Sequence, residues 1–410
     1  MSEVLQLFLV LGTMIAIAKF FGYISVKLGQ SAVLGELITG IILGPSVIDL
    51  LGFFEDGQAV EHTIIEFAEV GVLFLMFMAG LEIDLQNMLR VAKTAVLAGA
   101  LGVLSPLIML GGVSFLFGYS AEVSVFIGLI LAATSVSISA QVMLELGVLE
   151  SREGLALLGA AVIDDILVIL LISLFIAINP GDVVQTAESR PIWEVLIRVA
   201  GFLMIGTALG WWLLPRIANL VDQLPISEGA LVVAVVSALL MGFAADYFGG
   251  VAAITGSFIA GASLGQSRQK VVENIETGLH SVNYGLLVPV FFVSIGLQTD
   301  LTLVDAELLP LAALLTVVSI VSKVSGAGLG SALTGFNRPS AVRVGIGMIS
   351  RGEVGLIVAS IGITSGIIED GVFAVIVFVV VLTTLVTPPL VRWSFAQEGV
   401  FTPANQGSAD

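Results

Sequence analysis

The chain has 410 residues, of which 57% are hydrophobic and only 11% are charged, and its mean hydropathy is +1.10. This composition excludes an ordinary soluble globular domain and is typical of a protein that lies in a lipid bilayer. The net charge of −17 argues against a nucleic-acid partner, because such proteins need clustered Lys and Arg. With no cysteine, the chain forms no disulfide or thiolate metal site.

Thirteen apolar runs are long enough to cross about 30 Å of hydrocarbon, so we expect an all-α polytopic membrane protein with thirteen transmembrane helices. The first run is expected to stay as a helix, since no small-residue cleavage site follows it. In chain order the runs cover about 4–25, 31–47, 64–81, 94–117, 123–143, 155–178, 192–214, 229–247, 249–265, 281–297, 308–333, 341–366 and 371–393.

Basic and acidic residues fall in alternate loops between these runs. Lys27, Lys93 and Arg152 lie on one side of the predicted membrane, and Asp49 and Asp182 lie on the other. Because Lys and Arg prefer cytoplasmic loops, we expect the N-terminus outside and the C-terminus in the cytoplasm. A bacterial plasma membrane is the default location, with a thylakoid membrane as the alternative.

Two segments of the chain repeat far apart. Residues 32–46, AVLGELITGIILGPS, align without gaps on residues 253–267, AITGSFIAGASLGQS, and GLEIDL at 80–85 resembles GLQTDL at 296–301. Seven spans separate the copies, so the copies cross the membrane in opposite directions. Inverted-topology repeats are typical of secondary transporters, which place their substrate sites near the midplane at broken helices.

Three ionisable residues are predicted near the middle of the bilayer, where a charge is costly and usually functional. Asp164 and Asp165 lie about ten residues into the sixth span, and they project about 100° apart on a helix. Lys323 lies at a similar depth in the eleventh span, and Asp164 is its preferred partner. The alternative interpretation is that the two carboxylates only join neighbouring helices.

The twelfth and fifth spans contain residues that favour a break in the helix. Arg351 and Glu353 flank a glycine in the twelfth span, and opposite charges there can balance freed backbone groups. The fifth span contains four hydroxyl side chains: Thr134, Ser135, Ser137 and Ser139. Two broken helices beside a carboxylate offer oxygen ligands to a small hard cation. Alternatively, Ser137 and Ser139 bond back to the preceding turn.

Other ionisable residues have less specific interpretations. We expect Lys19 to extend its amine toward the interface, and His62 and His280 to lie at loop edges. Glu36 lies inside a span, where a helix-packing hydrogen bond and a cavity wall are both open interpretations.

Six motifs in order resemble the monovalent cation:proton antiporter family, in particular its Nap-type and Kef-type sodium or potassium exchangers. They are AVLGELITGIILGPS, GVLFLMFMAGLEIDL, AATSVSIS, the Asp164-Asp165 pair, LVPVFFVSIGLQTDL and SRGEVGL. The resemblance covers about residues 5–393. It implies a homodimer of protomers with crossed, discontinuous helices, an outer scaffold and a mobile ion-translocating core.

The resemblance also assigns domains within a single transmembrane unit, residues 1–393. It implies scaffold and dimer helices at about 4–81 and 229–297, core helices at about 94–178 and 308–393, and a linker helix at 192–214. Residues 394–410 would form a short cytosolic tail. Kef-type members carry a large cytosolic regulatory domain, and only about fifteen residues follow the last span here, which argues against ligand-gated control.

The family's functional residues have counterparts in this sequence. The resemblance implies that Asp165 binds the cation and the proton alternately, and that Asp164 pairs with Lys323. Thr134, with Ser135 beside it, would contribute to the Na⁺ site. The charges of Arg351 and Glu353 would balance the crossed helix ends. An Asp-Asp pair resembles the electrogenic branch, which moves more protons than cations in each cycle.

The expected function is therefore exchange of Na⁺, Li⁺ or K⁺ for H⁺ by alternating access, with no cofactor besides the transported ions. The protein is expected to be a transporter rather than an enzyme. A K⁺/H⁺ antiporter and a Kef-like K⁺ efflux channel without its regulatory domain are the alternatives. An intramembrane aspartyl protease is excluded, because its two aspartates must face each other from separate helices.

Overall fold

A computed structural model describes residues 2–54, 56–83, 85–178, 192–225, 227–298, 300, 306–364 and 366–396. These residues contain seventeen α-helices and no β-strand. The helices are α1 Glu3–Lys27, α2 Ala32–Leu43, α3 Gly57–Leu81, α4 Leu85–Arg90, α5 Ala92–Leu116, α6 Ala121–Ile130, α7 Val136–Glu145, α8 Arg152–Ile178, α9 Ile192–Val221, α10 Gly229–Ala244, α11 Ala253–Leu264, α12 Gln269–Val282, α13 Val288–Leu297, α14 Leu309–Leu333, α15 Arg338–Gly347, α16 Glu353–Thr364 and α17 Asp370–Ala396.

The architecture is that of a multi-pass membrane protein, as predicted. Nine helical stretches in the described part of the chain are long and apolar enough to cross a bilayer. The remaining predicted crossings correspond to the short helices α2 and α11 and to two helix pairs, α6 with α7 and α15 with α16. The count of thirteen crossings stays a prediction.

The internal repeat is confirmed by the lengths of the helices. α2 and α11 each have 12 residues, and they cover the same positions of the aligned repeat. α5 and α14 each have 25 residues, α6 and α15 each have 10, and α8 and α17 each have 27. Equivalent helices therefore recur in the same order in both halves of the protein.

Glycines of the repeat allow the helices to touch at their backbones. A Cβ atom at Gly40 of α2 would collide with the carbonyl of Val293 and approach Gly296 of α13. The equivalent Gly261 of α11 would collide in the same way with the carbonyl of Phe77 of α3. Each half of the repeat therefore packs through a contact that only a glycine permits, as expected where apolar lipid offers no hydrophobic drive.

The helices pack in two groups. α2 packs on α1 and α13, and α3 packs on α11 and α13, with α10 against α11; we call α1–α3 and α10–α13 the α3 helix group. α5 packs on α6, α8 and α14, and α14 packs on α15 and α17; we call α5–α8 and α14–α17 the α5 helix group. α9 contacts α10 and α11 on one side and α8 on the other.

Two helices extend farther than the sequence indicates. α12 begins at Gln269 rather than near residue 281, because Val271, Ile275 and Leu279 recur one turn apart and form a buried stripe on an otherwise polar helix. His280 therefore lies inside α12, where its ring contacts the ring of Tyr284 at a tilt, with centroids 4.4 Å apart.

α3 likewise begins at Gly57 rather than near residue 64, so His62 lies inside a helix, with Nδ1 3.3 Å from Oε1 of Glu66. The prediction that both histidines lie at loop edges is wrong. Hydropathy does not detect the polar turns that continue a helix beyond the lipid.

Lys19 and Glu36 form an ion pair between α1 and α2, with Nζ 3.0 Å from Oε1. The Glu36 side chain is buried and the Lys19 side chain is half-exposed. The half-exposed Lys19 side chain thus binds a buried carboxylate, a contact that the sequence did not predict. That its amine extends toward the interface stays a prediction. Glu36 thus joins two helices, which was one of the two open interpretations.

Candidate cation site

Two helix breaks cross near the middle of the α5 helix group. α6 ends at Ile130 and α7 begins at Val136, while α15 ends at Gly347 and α16 begins at Glu353. The breaks bond to each other: the N–H of Ser135 donates to the carbonyl of Ser350 at 3.0 Å, and the Ser350 hydroxyl donates to the carbonyl of Ser135 at 2.6 Å. Backbone groups that each helix leaves unpaired are thus partly satisfied by the other break.

Two hydroxyl side chains at the start of α7 make contacts beside the first break. Ser139 Oγ donates to the carbonyl of Gly347 on the second broken helix, so the interpretation that Ser139 bonds back to its own preceding turn is wrong. Ser137 Oγ lies 3.0 Å from Ser135 Oγ. These contacts fix the two breaks at van der Waals distance, and a Cβ atom at Gly352 would lie only 2.5 Å from Cβ of Ser135.

Arg351 is buried at the crossing, with 1% of its surface exposed. Its Nη1 donates to the carbonyl of Ala133 at 3.2 Å, and its Nη2 donates to the carbonyl of Ser319 at 3.4 Å. Thr384 of α17 donates to the Arg351 carbonyl at 2.6 Å. The guanidinium therefore supplies positive charge beyond the C-terminal end of α6, where the helix dipole is negative.

Glu353 is the first residue of α16, and its side chain lies outside the described part of the structure.

Asp164 and Lys323 form an ion pair that is closed to solvent. Lys323 Nζ donates to Asp164 Oδ1 at 2.8 Å, and both side chains are 0% exposed. The charges of Arg351 and Asp165 also act on Lys323. The pair links α8 to α14 and places two opposite charges beside the crossed breaks.

Asp165 faces the opposite way, toward the α3 helix group. Its side chain borders a cavity of about 10 Å³, which is room for about one water molecule. The wall consists of α8, the start of α7, Met76 of α3, and Thr255 with its neighbours on α11. The lining residues are Met76, Val136, Leu158, Ala161, Val162, Asp165, Ile254, Thr255 and Phe258. Asp165 therefore lies where the two helix groups meet.

Thr134 lies in the first break, next to Ala133, and 5% of its surface is exposed. Its hydroxyl is buried and has no hydrogen-bond partner among the described residues. Ala133 packs in one apolar cluster with Val168, which is one turn beyond Asp165 on α8. Val136, directly after the break, lines the same cavity as Asp165, so the break lies close to this residue. Hydroxyl, carbonyl and carboxylate oxygens suit a small hard cation.

In the described ranges, no group of three or more His, Cys, Asp or Glu side chains is placed to hold a metal ion.

Thr255 was missed by the sequence analysis. It stands at the position where the aligned repeat has Leu34, so a hydroxyl replaces an apolar side chain in otherwise similar segments. This replacement could have identified Thr255, because a polar side chain in one copy of an apolar repeat needs a polar group near it. In the structure, Thr255 and Asp165 of the other helix group line the same cavity.

The sequence matches the family described as sodium/hydrogen exchanger, transmembrane, over residues 14–396. It is 39% identical to the Na⁺/H⁺-K⁺ antiporter GerN of Bacillus cereus, over 92% of this chain and 93% of that protein. It is 34% identical to the Na⁺/H⁺ antiporter of Enterococcus hirae, over 93% of this chain and 96% of that protein.

The fold resembles the sodium proton antiporter MjNhaP1 of Methanocaldococcus jannaschii, with a TM-score of 0.70 at 18% identity over 97% of this chain and 99% of that one. This likeness concerns the fold alone. Together with the match over almost the whole chain, it makes the protein a member of the transmembrane sodium/hydrogen exchanger family, and thus a secondary transporter rather than an enzyme.

Proposed function

We propose that the protein exchanges Na⁺ for H⁺ by alternating access, and that Asp165 binds the two ions in competition. The observation that carries this proposal is the position of Asp165. Its carboxylate borders a cavity between the two helix groups, whereas the neighbouring Asp164 is sealed against Lys323. A site at the boundary between two packed groups changes its access when one group moves relative to the other.

Obligatory exchange follows from the electrostatic cost of a bare carboxylate. An ionised Asp165 that crosses the low-dielectric boundary between the groups loses its hydration, which costs several kcal/mol. Binding of either a proton or a cation neutralises the carboxylate and removes that cost. The loaded forms therefore cross readily and the empty anion does not, which couples the two fluxes.

The other site residues support this cycle in distinct ways. We assign Thr134, with the carbonyls of its break near Ser135, to the Na⁺ site, since its hydroxyl is otherwise unpaired in the described structure. Lys323 neutralises Asp164, which leaves Asp165 as the member of the aspartate pair that we assign to the ion. Arg351 and, by resemblance, Glu353 balance the crossed helix ends. The α5 helix group would be the mobile core, the α3 helix group the scaffold, and α9 the linker.

We also propose electrogenic exchange, with more protons than cations per cycle, on the ground of the Asp164-Asp165 pair. The bacterial relatives support a location in the bacterial plasma membrane, and the alternation of charged loops supports an external N-terminus. A homodimer follows from the family resemblance.

K⁺ is the second candidate cation. The relative GerN is named a Na⁺/H⁺-K⁺ antiporter, and the oxygen ligands proposed here accept either ion. Selectivity between them depends on the size and field strength of the site.

Reconstitution in proteoliposomes tests the proposal. With imposed Na⁺ or K⁺ gradients, internal pH and membrane potential are recorded together. We expect cation-driven proton flux in the wild type and none in Asp165→Asn. The matched control is Asp222→Asn, because Asp222 directly follows α9 at the end of a span. This variant should keep full flux. Proton flux that persists in Asp165→Asn would contradict the assignment, and cation flux without proton counterflow would indicate a channel instead.

A further inference from the structure

We propose that Glu145 is a positioning residue that ties the two helix groups together in the present conformation. It is the last residue of α7, in the α5 helix group, and its carboxylate reaches α2 of the α3 helix group. The N–H of Ala32 donates to Glu145 Oε2 at 3.1 Å. The inference rests on the alternating-access function proposed above.

α2 depends on this contact because its own chain does not cap it. Ser31 stands at the N-cap position, yet its side chain makes no cap hydrogen bond. The Ser31 hydroxyl is buried and, within the described ranges, unpaired, while the Ser31 carbonyl accepts from Ser25 Oγ at 2.7 Å. A helix N-terminus ordinarily takes its cap from the preceding Ser, Thr, Asp or Asn. Here the cap comes from a helix of the other group, more than a hundred residues away in sequence.

Two further contacts favour the bond between Glu145 and α2. Gln141, one turn earlier on α7 and 2% exposed, donates from Nε2 to Glu145 Oε1 at 3.3 Å, which holds the carboxylate in place. Glu36, one turn into α2, is paired with Lys19, and this pairing reduces its repulsion of Glu145. The positive end of the α2 dipole is thus left to attract the Glu145 carboxylate.

The contact acts on transport through the rigidity of α7. α7 starts at Val136, which lines the Asp165 cavity, and it ends at Glu145 about 15 Å farther along the axis. Movement of the first broken helix relative to α2 therefore breaks the hydrogen bond from Ala32 to Glu145. The carboxylate stabilises the conformation seen here relative to any conformation in which the groups have shifted, because a contact present in only one state biases the equilibrium.

Spin labels measure this bias directly, because the chain has no native cysteine. We would label the variant Leu28→Cys, Leu333→Cys, whose two positions are exposed at the ends of α1 and α14 in the two groups. Double electron–electron resonance gives the distance distribution with and without Na⁺. Burial raises the pKa of Glu145 to about 7, so the distances are measured at pH 8, where the acceptor is charged. Replacing it by a neutral acceptor weakens its hydrogen bonds about twofold, so Glu145→Gln should lower the ratio of this conformation to the shifted one about fivefold.

Adding Ser31→Asp to Glu145→Gln distinguishes two roles of Glu145: favouring one arrangement of the helix groups, or only stabilising α2. The new aspartate caps α2 from its own chain, so it should restore the Tm without restoring the distance distribution. If Ser31→Asp restores both, Glu145 is only a helix cap and the inference is overturned. It is also overturned if Glu145→Gln leaves a Na⁺-dependent distribution unchanged. A wild-type distribution that is single under all ionic conditions would instead contradict alternating access itself.

Discussion

The two helix breaks that cross in this protein have the same length and opposite chemistry. Residues 131–135 interrupt the first helix and carry hydroxyls and no charge, whereas residues 348–352 interrupt its counterpart and carry a buried arginine. Arg351 donates to the backbone carbonyls of Ala133 and Ser319, both of which lie outside its own break. The Thr134 hydroxyl, by contrast, has no hydrogen-bond partner in the parts of the chain that the structure describes.

One backbone geometry can therefore serve two purposes. The second break holds the crossing together through the Ser350 hydroxyl and two nitrogens of Arg351. The first break keeps a buried Thr134 hydroxyl, unpaired within the described residues, that can bind a ligand. We therefore expect substitutions in the second break to affect folding first, and substitutions at Thr134 to affect ion binding first.

The largest effect is expected for Arg351→Met. The change leaves the carbonyls of Ala133 and Ser319 without their donor and removes a buried charge near Asp164, so unfolding should become easier by about 3–5 kcal/mol. Thermal unfolding in detergent measures the loss. Arg338→Met, an exposed arginine at the start of the same helix α15, is the control and should leave the Tm almost unchanged. Equal Tm values for the two variants would contradict a stabilising role of the second break.

A smaller loss is expected for Gly352→Ala, because the new methyl group would lie within 2.5 Å of Ser135 Cβ and force the breaks apart. Overpacking of this kind costs about 1–3 kcal/mol. Gly112→Ala in α5, where a Cβ atom would meet nothing within 4 Å, serves as the control and should not destabilise the protein. If both variants melt alike, the close approach of the breaks is not needed for stability.

Thr134→Val tests the first break with a side chain of nearly the same shape. Loss of one oxygen ligand should raise the apparent KM for Na⁺ about tenfold, while the Tm stays within about 1 °C of the wild type, since no protein hydrogen bond is lost. Ser350→Ala should show the reverse, a lower Tm from the lost bond to the Ser135 carbonyl with little change in KM. The proposed difference between the two breaks is contradicted if both variants change the Tm, or if both change the KM.

The smallest effect is expected outside the breaks, at the end of α3. Burial and the charges of Glu276 and Glu150 raise the pKa of Glu82 to about 7 from 4.5. The folded state therefore holds a proton that the unfolded state releases, so this contribution to stability is complete below pH 4.5 and is lost as the pH rises through 7. Glu82→Gln should raise the Tm at pH 8 by roughly 1–2 °C and change it little at pH 4.

Melting curves of wild type and Glu82→Gln across this pH range provide the measurement. A Tm difference that is the same at pH 4 and pH 8 would show that Glu82 does not titrate in this window. Exchange activity should be retained in this variant, in contrast to Asp165→Asn, because Glu82 lies away from both breaks.

Much of this molecule could be predicted from sequence because lipid imposes simple rules. Apolar length located most of the spans, and the aligned glycines of α2 and α11 indicated the repeat, since small residues recur where backbones touch. A buried lysine and two buried aspartates are too costly to be incidental, so Asp164, Asp165 and Lys323 stood out. Polar helix extensions such as α12 were missed, because hydropathy stops at the membrane surface.

Contacts between distant segments become visible only once the chain is folded. Reading along the chain identifies a membrane protein with an internal repeat and costly charges at mid-span. It did not show that Ser135 and Ser350 bond to each other, that Thr255 faces the cavity of Asp165, or that Glu145 caps α2. Burial cost is a property of single residues and can be read along the chain. Hydrogen-bond partners across helix groups depend on packing in three dimensions.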